Sequence, residues 1–131
     1  MSKYVFLRLN DKFKEFFKGN KEAFLELYNR REESVFYKEQ FRVFLEKINQ
    51  KELTNHLIKS MGIRDDMKVY SNQIIIENKY ENNKDVLETH DNYLLIDISS
   101  KNNPFKRHLL DYDSDFIIID LNNAKIETCY L

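Results

Sequence analysis

A chain of 131 residues suffices for one domain, and its 42% apolar and 14% aromatic content can fill a core without disulfide or metal staples. Charged residues make up 33% but cancel to a net charge of −1, which disfavours a dedicated binder of nucleic acid or of an anionic membrane surface. The single cysteine, Cys129, permits no internal disulfide, and no apolar run has the length of a secretion signal or a membrane span. The expectation is therefore a cytoplasmic protein, one domain over residues 1–131, monomeric on its own.

The chain opens with a strand, Tyr4 to Leu9, stopped at Asn10-Asp11. Phe13, Phe16 and Phe17 then recur at helical spacing, and so do Ala23, Phe24, Leu27 and Tyr28, with Gly19-Asn20 ending one helix and starting the next. Ser34 is an N-cap for a third helix carrying Val35, Phe36, Phe41, Phe44, Leu45 and Ile48. Gln50-Lys51-Glu52 marks a bend. Leu53, Leu57, Ile58 and Met61 continue as a fourth amphipathic helix, closed by Gly62.

The second half reads as strands. Met67-Val69 and Ile74-Ile75-Ile76 flank a turn at Ser71-Asn72-Gln73, a loop follows at Glu81 to Asp85, Val86 and Leu87 read as a short strand or turn, and Tyr93 to Ile98 is a strand. Asn103 caps a short helix with Pro104 at its first position and Phe105, His108, Leu109 and Tyr112 along it. Phe116 to Leu121 and Lys125 to Tyr130 pair across Asn122-Asn123. The isoleucine-rich strands are apolar on both faces and need cover, so the predicted fold is α+β, a mixed sheet of about five strands with helices packed against it.

Few residues have catalytic spacing. Asp111, Asp113 and Asp115 start like a calcium loop, but Phe116 stands where the loop needs glycine and Asn122 where it needs glutamate, which leaves a solvated acidic turn. Asp66, Glu77 and Lys79 resemble the two carboxylates and a lysine with which metal-dependent nucleases hold Mg²⁺ and place a water. That reading requires the three to converge. His56, His90 and His108 have no metal-ligand spacing, and Cys129 with His90 has no nucleophile signature. No catalytic residue, metal or cofactor is assigned, and the chain is read as a non-enzyme.

The N-terminal pattern resembles the sporulation inhibitor of replication family of Bacillales. The resemblance rests on the aromatic first strand, Phe13 and Phe17 in the first helix, Gly19, and Leu25-Glu26-Leu27-Tyr28, with Lys38-Glu39-Gln40-Phe41 and Phe44 in the later helix. The two C-terminal strands across an asparagine turn add a weaker likeness. The resemblance implies a non-catalytic inhibitor that binds the N-terminal domain of the replication initiator DnaA and occludes it, with no direct nucleic-acid or membrane contact. It places partner contacts at Phe13, Phe17 and Gln40, and at Val43 or Phe44. The family's C-terminal contact, a proline beyond the last strand, has no counterpart in these residues. Two alternatives are the Mg²⁺-dependent nuclease centred on Asp66, Glu77 and Lys79, and an interaction protein with another partner, for example a phage-encoded one.

Overall fold

The computed structural model describes residues 2–127. Its elements run β1 (Ser2–Leu7), α1 (Asp11–Phe17), α2 (Lys21–Arg30), α3 (Val35–Phe44), α4 (Gln50–Met61), β2 (Met67–Val69) and β3 (Gln73–Asn78). They continue with β4 (Asn83–Thr89), β5 (Leu94–Ile98), α5 (Lys106–Tyr112), β6 (Ile117–Asp120) and β7 (Lys125–Ile126). The fold is α+β. The sheet, however, has seven strands in the order β2-β3-β4-β5-β1-β6-β7, with every neighbouring pair antiparallel, where about five strands of mixed direction were expected.

Each helix starts where a side-chain oxygen can take an orphan backbone N–H. Asn10 Oδ1 accepts from the Lys12 N–H, Asn20 Oδ1 from Ala23, Ser34 Oγ from Tyr37 and Asn49 Oδ1 from Glu52. Asn103 serves the start of α5, accepting from the Phe105 and Lys106 N–H groups. Pro104 lies in the turn before that helix rather than at its first position.

Strand alternation divides the core in two. Phe6, Ile74, Ile76, Leu87, Leu94 and Ile96 point to one face, where they meet Leu53 and Leu57 of α4 and Leu109 of α5. Val5, Leu7, Ile117 and Ile119 point to the other, under Phe17 of α1, Phe24 and Tyr28 of α2, and Phe41 of α3. β6 is buried on both faces, as its isoleucine run predicts. β3 is not: Ile74 and Ile76 are buried, but Ile75 is only half-buried, because α1–α3 cluster over β1 and β6 and do not reach it.

Candidate functional site

The aromatic residues of α1 and α3 form one cluster because the chain ties these helices together just beyond the end of β1. Leu9 bridges Leu45, the Asn10 N–H donates to the Phe44 carbonyl at 2.8 Å, and the Glu46 N–H donates to the Arg8 carbonyl at 2.8 Å. These contacts bring the last turn of α3 against the start of α1. Phe13 then meets Phe44 with ring centroids 4.4 Å apart, and Phe17 meets Phe44 at 5.7 Å. A salt bridge of 3.0 Å from Lys14 to Asp115 fastens α1 to the turn before β6.

The resemblance implies partner contacts at Phe13 and Phe17 and at Val43 or Phe44, and the structure brings the rings of Phe13, Phe17 and Phe44 together. Their exposure differs from expectation. Phe17 is 4% exposed and packs edge-on to Phe24 at 5.2 Å, so it belongs to the core and offers no open anchor. Phe13 is half-buried. The exposed aromatic of α1 is Phe16, 74% accessible and resting on Phe17 at 5.1 Å. The register that seats Phe17 under α2 swings Phe16, one residue earlier and about 100° round the helix, out to solvent.

On α3, Gln40 is exposed one turn before the half-buried Phe44. It lies in a stripe with Phe36 and Val43, residues i, i+4 and i+7, which are 70% and 62% accessible respectively. The outer face of α3 thus presents Phe36 and Val43 beside Gln40, and that of α1 presents Phe16. Lys12, Glu15, Lys18 and Glu39 are exposed at the margin. Exposed apolar side chains with charged neighbours are the composition that protein-docking surfaces have in general. Of these, Val43 is one of the two positions that the resemblance offered, whereas Phe16 and Phe36 were not singled out as contacts, since periodicity cannot tell which side of a short aromatic helix faces the core.

In the alternative acidic site one carboxylate is already engaged by a cation. Asp66 and Glu77 are neighbours in the backbone, the Glu77 N–H donating to the Asp66 carbonyl at 2.9 Å. The Asp66 carboxylate, however, is taken up by Arg64 through two contacts of 2.9 Å, and the hydrogen-bonded guanidinium holds that carboxyl below the ordinary carboxylate range. Glu77 stands opposite Lys84, and Lys79 is exposed in the turn beyond β3. No group of three His, Cys, Asp or Glu side chains among the described residues is arranged to hold a metal ion.

The acidic turn after α5 likewise holds itself together. Asp113 meets Arg8 at 3.3 Å and accepts from the Asp115 N–H. His90 stacks on Tyr93 and contacts Glu88, and His108 contacts Ser60. Cys129 lies outside the described residues. No described helix is long and apolar enough to cross a membrane. No family model and no curated protein matches the chain.

Proposed function

We propose that this protein is a non-catalytic inhibitor of replication initiation that docks the outer faces of α1 and α3 on the N-terminal domain of the initiator DnaA. The observation that carries the reading is the exposure of Phe16 on α1 and of Phe36 and Val43 beside Gln40 on α3, two helices joined by the Phe13–Phe44 contact. Aromatic side chains in a rigid setting are the usual anchors of an interface, because they bury much area at little cost in conformational freedom. The resemblance of the N-terminal segments to the sporulation inhibitor family supplies the partner. Inhibition follows by occlusion: the docked chain covers a surface that the initiator uses for its own assembly or for a loading partner. Gln40 at the centre gives a polar contact that fixes register, and the charged margin tunes encounter more than affinity.

Nuclear magnetic resonance shift mapping on the labelled protein tests the proposal. With unlabelled initiator N-terminal domain added, perturbations confined to residues 11–17 and 35–44 support it. Perturbations centred on α4 and α5, or none, overturn it.

A further inference from the structure

The layer of helices does not close completely over the sheet. α3 packs chiefly on α2 and is tied to the chain beside β1 at its C-terminal end, through Leu45. Between α3, α2 and the strands there remains a cleft of about 350 Å³, a volume within the range of small-molecule sites. Val5, Leu7 and Leu95 form its floor, and Tyr28 and Phe41 its walls. Arg31, Lys38 and Arg42 also line it, against one carboxylate, Glu32.

The cations are poorly neutralised. Arg31 is fixed in place, its guanidinium 3.7 Å from the Tyr28 ring centroid and its Nη1 donating to the Tyr28 carbonyl at 2.8 Å. Its contact with Glu32 is long, 3.8 Å, and Arg42 reaches Glu39 only at 4.0 Å. Lys38 has no ion pair among the described residues. Burial pushes the Tyr28 hydroxyl up from its ordinary titration range. An apolar floor under several cations matches a ligand with an apolar body and one anionic end: the body gains by leaving water, and the guanidinium groups fit a carboxylate.

We propose that this cleft is a binding site for a small amphipathic monoanion, a carboxylate on an aliphatic chain of medium length. The site stands apart from the docking face, since Gln40 and Val43 lie on the exposed side of α3 while Phe41 turns inward to the cleft.

Calorimetric titration of the full chain with octanoate, and with octanol as its uncharged counterpart, tests the site. Saturable one-to-one binding of octanoate is expected, at least about tenfold tighter than octanol, a difference of about 1.4 kcal/mol. The double variant Lys38→Gln with Arg42→Gln, both exposed positions, should bring octanoate down to the level of octanol. Leu95→Trp, which fills the floor, should weaken both ligands. Absence of saturable octanoate binding up to about 1 mM, equal affinity for acid and alcohol, or an unchanged octanoate affinity in the double variant would overturn the proposal.

Discussion

Phe13 of α1 and Phe44 of α3 meet with ring centroids 4.4 Å apart and planes tilted by 51°, so two helices far apart in sequence share one aromatic surface. The contact sets what each neighbouring aromatic can do. Phe17, beneath it, is core; Phe16, beside it, is exposed.

Substitutions in α1 should therefore separate stability from binding. Phe17→Ala deletes a buried ring in contact with Phe24 and Phe44 and is expected to cost about 3–5 kcal/mol. Phe16→Ala removes an exposed ring and should stay within about 0.5 kcal/mol of the parent. Urea unfolding measures both. Equal costs for the two would mean that the α1 register is wrong.

Asp120 closes the β6–β7 hairpin. Its Oδ1 accepts from the backbone N–H groups of Asn122 and Asn123, and its Oδ2 from the Asn123 side-chain amide at 2.8 Å. The Asn123 side chain first, and the backbone N–H groups with it, hold this carboxyl below the ordinary range. A carboxyl depressed in the folded state stabilises above its unfolded value of about 3.9, and that contribution is lost as pH falls through the folded value. Stability should thus decline below about pH 4, and Asp120→Asn should flatten part of that decline while costing about 1–3 kcal/mol at neutral pH. Unfolding curves at neutral and acid pH give both numbers. An Asp120→Asn protein with the parent's acid sensitivity contradicts the assignment.

Asp85 is buried in β4, where its Oδ1 accepts from the Ser99 and Ser100 N–H groups at 2.9 and 3.0 Å and its Oδ2 from the Ser100 hydroxyl at 2.6 Å. Asp85→Ala leaves these donors without their acceptor, so a loss of about 1–3 kcal/mol is expected. Ser100→Ala removes one donor and should cost less. Hydrogen exchange should quicken at Ser99 and Ser100 in Asp85→Ala; unchanged protection there would rule the contact out.

Gly62 ends α4 at φ 76° and ψ −170°, a backbone conformation that essentially only glycine adopts. A Cβ placed there would meet nothing within 4 Å, so the cost of Gly62→Ala is conformational rather than steric. About 1–3 kcal/mol is expected, read as a lowered unfolding midpoint with an unchanged denaturant slope. A neutral Gly62→Ala would show that α4 ends some other way.

Most helices were legible in the sequence because they begin at a residue that caps and repeat apolar positions at helical spacing; Asn20, Ser34 and Gly62 act as read. However, α3 stops at Phe44, short of Leu45 and Ile48, and the expected bend at Gln50-Lys51-Glu52 is the first turn of α4, capped by Asn49. The sheet was less legible. β4 was seen only as a short piece at Val86 and Leu87, because its core-facing positions are Asp85, Leu87 and Thr89, and two of these are polar. Their burial depends on Ser99, Ser100, Gln50 and the Asn72 carbonyl, partners that no local pattern reveals. The isoleucines of β3 misled in the other direction, since an apolar run does not say whether both faces find cover. In the candidate docking face, residue type and helix were visible, but the side of α1 turned outward was decided by where α2 and α3 pack.

The direct test of the docking account is a titration of the parent chain, Phe16→Ala and Gln40→Ala against the isolated N-terminal domain of DnaA, with Tyr80→Ala, exposed in the β3–β4 turn, as control. The account predicts saturable binding by the parent and by Tyr80→Ala, with each α1 or α3 variant weakened at least about tenfold while its unfolding midpoint is unchanged. Absence of binding at tens of micromolar, roughly the weak end of specific interfaces, or binding indifferent to Phe16 and Gln40, would contradict it.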